Sequence, residues 1–320
     1  MKPILCFGEI LVDFIANDAG KPLYESEVFV KKPGGSPFNV AVGLSRLGRK
    51  VSFLGKLGGD PFSKFLFQML KGESIDTSFL VISKEFKTSL VFIARDKAGS
   101  PDFVFYRDHP ADTSLTYEEI RLPVSRFSLF HFGSMAVVFE PLRSTSLRVM
   151  EDFVRQKIPV SFDPNVRPNI IKNRNNFIKD FFHIAENVTI LKLSHQDLSY
   201  IFPGEPVDKV IHKIPLKKDS LLFVTMGEKG CLVHFENNQY VVPAFPIDVV
   251  DTTGCGDAFM AAVIFKYTEK PPTTVKEAKD IAVFANAVAA LVTTRIGAAS
   301  AMPTLDEVKR FLESRSTRAG

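Results

Sequence analysis

The chain has 320 residues, of which 45% are hydrophobic and 24% charged, and its formal net charge at pH 7 is +4. This composition is typical of a globular protein with a large core. Lys and Arg are scattered rather than clustered, which argues against nucleic-acid binding, and no apolar run is long enough to span a membrane. The three cysteines show neither a disulfide pattern nor metal-ligand spacing. We therefore expect a cytoplasmic protein with no nucleic-acid or membrane partner.

Short apolar runs alternate with segments of helical periodicity, which is typical of a parallel sheet with helices on both faces. The predicted strands lie at residues 4–11, 51–57, 129–132, 160–162, 189–193 and 221–225. The predicted helices lie at residues 37–47, 61–71, 142–156, 176–185, 194–202, 258–267 and 281–294. Helix start signals are Ser36 before Pro37, Asp60 before the second helix, and a capping box of Thr304 and Glu307 for a last helix.

Two segments, residues 14–32 and 87–110, interrupt this alternation with short pieces of period-two character. They predict extra strands outside the main sheet. Because no internal repeat or low-complexity linker divides the chain, we expect a single domain over residues 1–320.

The most informative segment lies at residues 249–260. An apolar strand at residues 245–250 is predicted to end in a tight turn at Gly254 and Gly256, directly before an apolar helix. The unpaired N–H groups of a helix start favour an anion. With Asp257 beside them, the segment offers an anion cradle and a carboxylate, which phosphoryl transfer to a hydroxyl requires. The alternative is an ordinary turn in which Asp257 only caps the helix.

Residues 251–259, D-T-T-G-C-G-D-A-F, resemble the C-terminal signature of the ribokinase/PfkB family of carbohydrate kinases. Residues 33–41, P-G-G-S-P-F-N-V-A, are similar to its N-terminal signature, which continues to residue 62. The resemblance implies a ribokinase-like, doubly wound α/β fold with a mostly parallel sheet in a Rossmann-like three-layer arrangement. Segments 14–32 and 87–110 would form a small β lid over the sugar, and analogy suggests a homodimer through this lid.

The resemblance also implies an ATP-dependent sugar kinase that uses Mg²⁺ with ATP. Asp257 would be the general base that accepts the proton of the attacking sugar hydroxyl. The backbone N–H groups of Gly254, Cys255 and Gly256 would stabilise charge on the γ-phosphoryl group. Cys255 departs from the commoner Ala, but its backbone can still donate.

On the sugar side, Asp13 and Asn39 match family residues that hydrogen-bond the sugar. Gly34 and Gly35 would let the chain approach the substrate closely. Phe38 departs from the small residue usual in the family and would add bulk near the pocket.

Two motifs resemble the fructokinase branch of the family. One is F-Y-R, which ends at Arg107, and the other is D-P-N-x-R, which ends at Arg167. Arg107 would reach substrate oxygens from the lid, and Arg167 would contact a phosphate or the sugar. The alternatives are a solvated Arg107 at a strand end and a purely structural turn around Arg167.

The nucleotide and metal side is likewise implied by the resemblance. Residues that align with nucleotide contacts are Lys192, Ser194, Thr225, Gly227, Gly230, Asn286 and Gly297, the last two on the adenine side. Ser194 and Asp197 stand in for an N-x-x-E-like element that organises Mg²⁺ through water. Asp251 and Thr253 match a monovalent-cation loop of many relatives, and these two residues alone leave K⁺ binding open.

The expected reaction is attack of O6 of D-fructose on the γ-phosphoryl group of Mg-ATP, which gives fructose 6-phosphate. Relatives with the same core act on 2-keto-3-deoxygluconate or related keto-sugar acids, ribose, nucleosides or inositol-type polyols, so these substrates stay open. A dinucleotide-dependent dehydrogenase is disfavoured because G-x-G-x-x-G is incomplete at Gly254, and no G-x-x-x-x-G-K-[ST] motif occurs. The retained Asp257 argues against a non-catalytic sugar- or nucleotide-binding regulator.

Overall fold

The computed structural model of the protein describes residues 2–18, 20–95 and 101–316. Within these residues the larger sheet has nine strands: β1 (Ile4–Phe7), β4 (Val51–Leu57), β5 (Leu80–Ile82), β8 (Leu129–Gly133), β9 (Val160–Asp163), β10 (Ile190–Ser194), β11 (Leu221–Thr225), β12 (Cys231–Phe235) and β13 (Asn238–Val242). Their order across the sheet is β13-β12-β11-β10-β9-β8-β1-β4-β5. Neighbours from β11 to β5 pair in parallel, whereas β12 is antiparallel to β11 and β13.

Helices cover both faces of this sheet. They are α1 (Ser36–Arg46), α2 (Pro61–Gly72), α3 (Leu142–Arg155), α4 (Arg174–Ala185), α5 (His195–Ile201), α6 (Val207–Val210), α7 (Cys255–Glu269), α8 (Val275–Thr293) and α9 (Leu305–Ser316). One apolar core contains buried residues of α1, α7 and α8, and another contains those of α3, α4 and α5. The predicted three-layer α/β fold with mostly parallel strands is therefore confirmed. No helix in the described ranges has both the length and the apolar character of a membrane span.

A second sheet consists of β2 (Leu11–Ala16), β3 (Phe29–Gly34), β6 (Leu90–Arg95) and β7 (Pro101–Tyr106), in the order β3-β2-β6-β7. It contains strands from both segments that were predicted to lie outside the main sheet, and residues 96–100 of segment 87–110 lie outside the described residues. The strand register puts Asp13, Val91 and Phe105 on one face of this sheet. Val91 packs against Met135, so this face lies over the end of β8.

The predicted strand 4–11 is wrong at its end, because the chain changes sheet there. β1 stops at Phe7, Gly8 has a φ of 145°, and Leu11 already begins β2. A Cβ at Gly8 would lie 2.6 Å from Cγ of Pro37, so the glycine lets the bend pass close to α1. One apolar run therefore supplies strands to two sheets.

The predicted strand 245–250 is also wrong. These residues form no strand, and Val249 and Val250 are 59% and 58% exposed. The N–H groups of Val250 and Asp251 both donate to the carbonyl of Thr293 in the last turn of α8, at 2.8 and 3.1 Å. The chain before the glycine turn is thus held by a helix end instead of a neighbouring strand.

Two of the predicted helix starts are confirmed in detail. Asp60 caps α2 by accepting a backbone N–H of its first turn, and the side chains of Thr304 and Glu307 bond to each other's backbone N–H groups before α9. The start of α1 differs, because Ser36 is already helical and Gly35, with φ of 114°, is the N-cap. The hydroxyl of Ser36 is thereby available to a partner outside its own helix.

Candidate active site

The candidate site lies at the carboxyl ends of the central strands, between the first turns of α1 and α7. Asp163 ends β9, Lys192 lies near the end of β10, and Asp257 is in the first turn of α7. Ser36 and Asn39 reach Asp257 from α1. This is the edge at which open α/β sheets bind ligands.

Gly254 and Gly256 shape the start of α7. Gly254 is the N-cap in a left-handed conformation (φ 79°), and a Cβ there would lie 2.6 Å from a side-chain atom of the loop after α8. A Cβ at Gly256 would lie 3.0 Å from Nζ of Lys192, so this glycine lets the lysine approach the backbone. The N–H of Cys255 donates to the carbonyl of Thr252 at 3.2 Å, and further N–H groups of a first helical turn lack intrahelical partners. Together with the charge on Lys192, these groups favour an anion.

Asp257 is buried and bonded on both carboxylate oxygens. Oγ of Ser36 donates to Oδ1 at 2.6 Å, and Nδ2 of Asn39 donates to Oδ2 at 2.8 Å. Burial raises the pKa of Asp257, while these two hydrogen bonds and the positive charges of Lys192 and Arg167 oppose the rise. The interpretation of Asp257 as a helix cap is wrong, because the N-cap of α7 is a glycine and the carboxylate bonds to α1.

Lys192 forms a buried ion pair beneath the glycine turn. Its Nζ lies 2.9 Å from Oδ2 of Asp163, and both side chains are almost completely inaccessible to solvent. Burial raises the pKa of Asp163 to about 6, against the opposing effect of the lysine charge. Burial lowers the pKa of Lys192, but the carboxylates of Asp163, Asp197 and Asp257 outweigh it and the net shift is upward. The lysine therefore keeps its positive charge beside the cradle.

Gly34 and Gly35, the neighbouring glycines of the N-terminal signature, leave space that other parts of the protein occupy. A Cβ at Gly34 would lie 2.2 Å from Oδ2 of Asp13, which is in the neighbouring strand. A Cβ at Gly35 would lie 2.4 Å from the carbonyl oxygen of Glu9. Burial raises the pKa of Asp13 to about 7. The carboxylate of Asp13 is thus held against the backbone of β3.

Asn39 bonds to Asp257, and Phe38 lies in the apolar core, whereas both were expected to lie beside the sugar. The amide of Asn39 bonds to Asp257, and its Oδ1 is buried without a hydrogen-bond partner in the described part of the chain. Phe38 is completely buried in the apolar core beneath α1. The expectation that Phe38 adds bulk near the pocket is therefore wrong, because consecutive helix residues point in different directions and its ring faces the core.

Arg107 is held by Asp112 instead of extending into solvent. Its Nη2 donates to both oxygens of Asp112, at 3.2 and 3.0 Å, and to Oγ1 of Thr113 at 3.0 Å. The guanidinium also lies 4.6 Å from the ring centre of Phe139. Only 11% of the Arg107 side chain is exposed, so the solvated interpretation is wrong. These contacts connect the end of β7 to Asp112, Thr113 and Phe139, which lie outside the second sheet.

Arg167 and Asp197 lie on two sides of one turn. Arg167 is exposed, and its positive charge opposes the rise in the pKa of Asp257, so it lies near that carboxylate. The N–H of the preceding residue, Val166, donates to Oδ1 of Asp197 at 2.7 Å. Oδ2 of Asp197 accepts from the N–H of Ser194 at 2.6 Å, which closes a capping box at α5. Both carboxylate oxygens of Asp197 thus accept hydrogen bonds from backbone N–H groups. Its expected role, to organise Mg²⁺ through water, stays a prediction.

The predicted nucleotide residues lie on the β11 side of the cradle. Thr225 ends β11, and Gly227 and Gly230 follow it with φ angles of 61° and 89°. A Cβ at Gly230 would lie 2.1 Å from the carbonyl oxygen of Val242. Nδ2 of Asn286 donates to that same carbonyl at 3.2 Å and to the next one at 2.9 Å. Asn286 therefore positions the end of β13, and a contact to adenine stays a prediction.

The proposed cation loop closes around Asp251. Its Oδ1 accepts from the N–H and Oγ1 of Thr253 at 2.9 and 2.7 Å, and its Oδ2 accepts from the N–H of Gly297 at 3.0 Å. Gly297 is thus brought to this loop, next to the cradle. Within the described ranges, no group of three or more His, Cys, Asp or Glu side chains could hold a metal ion.

Sequence reasoning misses three residues of the site, which are Ser36, Glu9 and Asp163. Oε1 of Glu9 accepts the N–H of Ser36 at 3.1 Å, and burial raises the pKa of Glu9 to about 7. A signal was present, because a carboxylate within an apolar run costs free energy unless it is used. The spacing of three residues between Ser36 and Asn39 likewise places both on one helix face.

Comparison with known proteins identifies the family of this chain. Residues 1–305 match the pfkB family of carbohydrate kinases. Fructokinase-1 of Zea mays is 35% identical over 314 residues, which cover 97% of each chain.

Two solved structures are similar over almost the whole chain. A fructokinase with bound ATP from Xylella fastidiosa superposes with a TM-score of 0.87 at 30% identity, covering 98% of this chain and 99% of the other. A fructokinase double mutant from Vibrio cholerae O395 with fructose, ADP and potassium ion bound gives 0.84 at 26% identity, covering 98% of each chain. Family match, identity and fold together show that this chain belongs to the pfkB family of carbohydrate kinases and is a sugar kinase.

Proposed function

We propose that this sugar kinase is a fructokinase, which transfers the γ-phosphoryl group of ATP to O6 of D-fructose. The observation that carries the proposal is the buried carboxylate of Asp257 in the first turn of α7, directly after Gly254 and Gly256. A proton acceptor thereby lies beside a group of N–H donors. The substrates are supported by those relatives of this chain that are fructokinases, one with ATP bound and one with fructose and ADP bound.

In the proposed reaction, Asp257 orients the hydroxyl and accepts its proton late, as bond formation to phosphorus advances. The backbone N–H groups of Gly254 and Gly256 and the ammonium of Lys192 stabilise charge on the transferred phosphoryl group, and the N–H of Cys255 joins them once it leaves the carbonyl of Thr252. Preorganised donors of this kind typically contribute a factor of about 10² to 10³ each.

The sugar would lie between Asp257 and the second sheet, which acts as a lid. Asp13, with Gly34 behind it, and Asn39 would contact sugar hydroxyls, and Arg107 and Arg167 would flank them. The charges in this region favour a neutral sugar over a keto-sugar acid. Arg107 is compensated by the buried Asp112, and the carboxylate of Asp13 would repel a second carboxylate.

A keto-sugar acid is the second candidate, because one observation suits it. Arg167 is exposed, lies near enough to Asp257 for its charge to affect that carboxylate, and makes a long hydrogen bond of 3.3 Å to the carbonyl of Val166. A guanidinium in this position could pair with a substrate carboxylate.

ATP would bind from Lys192 and Ser194 across to Thr225, Gly227 and Gly230, with Asn286 and Gly297 on the adenine side. The donor set fits a magnesium ion that is carried by the nucleotide and keeps its waters, because Ser194 and Asp197 are already bonded to backbone. When bound, Mg²⁺ neutralises part of the phosphate charge. Asp251 and Thr253 would form the K⁺ loop, as a potassium ion is present in the Vibrio structure.

We further propose that the lid mediates a homodimer. Large apolar side chains are exposed on the second sheet: Val30, Phe103, Val104, Phe105 and Tyr106. Burial of such side chains against a second copy would remove apolar area from water.

The thiols of Cys6, Cys231 and Cys255 form no disulfide, which fits a reducing compartment such as the cytoplasm.

The test is a coupled ADP-release assay with Mg-ATP and a panel of acceptors: D-fructose, 2-keto-3-deoxygluconate, ribose, adenosine and myo-inositol. We expect the highest kcat/KM with D-fructose, and the background is measured without sugar. Preferential turnover of another acceptor would replace fructose, and ADP release at the background rate with all five would contradict the proposed reaction.

A further inference from the structure

The two donors to Asp257 come from a single turn of α1. Ser36 and Asn39 are three residues apart and therefore lie on the same helix face. Their contacts of 2.6 and 2.8 Å go to different oxygens of the same carboxylate. With one donor on each oxygen, the plane and the rotation of the Asp257 side chain are both determined.

The turn that carries these donors is itself held in place. Oε1 of Glu9, a buried residue after β1, accepts the N–H of Ser36 at 3.1 Å. The N–H of Asn39 donates to the carbonyl of Gly35 at 2.9 Å, and the φ of 114° at Gly35 is in a region that side chains rarely adopt. The donors are thus held in position by contacts within the protein itself, so that little reorganisation is needed on binding.

The side-chain oxygen of Asn39 differs from its nitrogen in having no hydrogen bond within the described residues. Its Oδ1 is buried and has no partner in the described part of the chain, while its Nδ2 bonds to Asp257. Since a buried amide is normally bonded at both ends, Nδ2 is used by the carboxylate and Oδ1 stays available to a ligand. The side chain is oriented for the carboxylate.

We infer that Ser36 and Asn39 are positioning residues for the general base, which direct the remaining lone pairs of Asp257 toward the sugar hydroxyl. The inference rests on the base role of Asp257 in the proposed function. The hydroxyl proton moves to Asp257 as the new O–P bond forms and the bond from Pγ to the β-phosphate oxygen breaks. The electron pair of that bond leaves with ADP, and Asp257 later loses the proton to solvent.

The charged groups around Asp257 set the background for a test by pH. The positive charges of Lys192 and Arg167 favour the ionised form of Asp257. The negative charge of Asp257 in turn raises the pKa values of the Asp163 carboxyl group and the Cys255 thiol, which both lie near it. The hydroxyl of Ser36 and the amide of Asn39 also favour the ionised form. Removal of either donor therefore raises the pKa of the carboxyl group.

The experiment compares Ser36→Ala, Ser36→Thr and Asn39→Leu with the full-length wild type, and Ser45→Ala is the matched control. Ser45 is on the same helix, and its hydroxyl donates to the carbonyl of Glu73, far from Asp257 in the fold. We expect kcat to fall about tenfold in Ser36→Ala and in Asn39→Leu, as for the loss of one hydrogen bond to a charged group. KM for ATP should stay within about twofold of wild type, and the acid limb of the kcat profile should move to higher pH. Ser36→Thr should restore both readouts, and Ser45→Ala should match wild type.

A second readout does not depend on the substrate. The carboxyl ¹³C resonance of Asp257, assigned by its absence in Asp257→Asn, is titrated in ligand-free protein, and its midpoint should be higher in Ser36→Ala than in Ser45→Ala. Equal midpoints in these two variants would overturn the inference, as would a wild-type kcat in both Ser36→Ala and Asn39→Leu. Asn39 can contact the sugar and still orient Asp257, but a raised KM for the sugar at unchanged kcat in Asn39→Leu would assign Asn39 to sugar binding alone and overturn its positioning role. If wild-type protein phosphorylates no sugar, the proposed function fails, and the titration still decides the inference.

Discussion

Gly34 lies directly against the carboxylate of Asp13, so closely that a Cβ on this glycine would be 2.2 Å from Oδ2. The two residues belong to paired strands of the second sheet, β3 and β2. The absence of a side chain at Gly34 therefore determines where the Asp13 carboxylate can lie, and it links the N-terminal glycine motif to the proposed sugar side of the site.

Gly34→Ala should displace Asp13 and weaken sugar binding. The expected result is a KM for the sugar that is about tenfold higher, as for a lost hydrogen bond to a charged group, with little change in KM for ATP. Overpacking should also lower the free energy of unfolding by about 1 to 3 kcal/mol. Steady-state kinetics and urea denaturation check both effects. Gly72→Ala is the control, because nothing lies within 4 Å of a Cβ at Gly72. An unchanged sugar KM in Gly34→Ala would contradict the assignment of Asp13.

Asp257→Asn should lower kcat by a factor of about 10² to 10⁴, the range of general-base contributions. The side chain keeps its size, and Asn cannot accept the hydroxyl proton, so nucleotide binding should persist. Isothermal titration with an ATP analogue and the ADP-release assay separate the two quantities. Asp306→Asn, an exposed acid in the first turn of α9, is the matched control and should leave kcat unchanged. Turnover at the wild-type rate in Asp257→Asn would reject the base.

The stability of the protein should depend on Glu9 in the pH range from about 4.5 to 7. Burial raises the pKa of Glu9 from 4.5 to about 7, so between these values the folded state binds a proton that the unfolded state has lost. Stability therefore falls as pH rises through this range, by the linkage of proton binding to folding. Glu9→Gln keeps an acceptor for Ser36 and should remove this part of the decline.

The measurement is chemical denaturation of wild type and Glu9→Gln at pH 5, 6 and 7. The difference in unfolding free energy between them should change in favour of the variant as pH rises. Glu277→Gln is the control, because the pKa of Glu277 is lowered to about 2 by its hydrogen bonds to Lys270 and Thr273, and it does not titrate in this range. A constant difference for Glu9→Gln would show that Glu9 is ionised in the folded protein throughout.

Lys192→Met should strongly destabilise the protein, because it leaves the buried carboxylate of Asp163 without its 2.9 Å partner. Removal of one member of a buried pair typically costs about 3 to 5 kcal/mol. Lys276→Met removes an exposed i,i+4 pair with Asp280, and such pairs contribute only about 0.3 to 0.5 kcal/mol. Urea denaturation of both variants at pH 7 provides the comparison. Equal losses in the two variants would mean that Asp163 is neutral in the folded state.

Much of the fold could be predicted from local signals. β1 is an unbroken apolar run, and β11 is apolar up to its last residue. Asp60 and the Thr304–Glu307 pair cap helices through contacts within a few residues. The wrong strand at residues 245–250 shows the limit of this reasoning. An apolar run does not reveal whether its N–H groups bond to a strand or, as here, to the end of a helix.

In the site, too, features that are local in sequence could be predicted, and contacts between distant segments could not. Asp257 was predicted as the base because the glycine turn and the helix start are adjacent to it in sequence. The partners of Asp257, the neutralisation of Arg107 by Asp112 and the pairing of Lys192 with Asp163 depend on tertiary packing. No local pattern distinguishes an asparagine that binds a sugar from one that orients a carboxylate, and Asn39 was therefore assigned to the sugar alone.

The hydrogen bond between Ser36 and Asp257 joins residues that are 221 positions apart. During synthesis the N-terminal part of a chain emerges first, and contacts of such long range form only after the distant segment is available. A ribosome-bound intermediate that has not yet released α7 can contain the strands of both sheets, but neither cradle nor proposed base. Phosphotransfer activity is therefore acquired abruptly and late in translation, and a growing polypeptide cannot consume nucleotide before its fold is nearly complete.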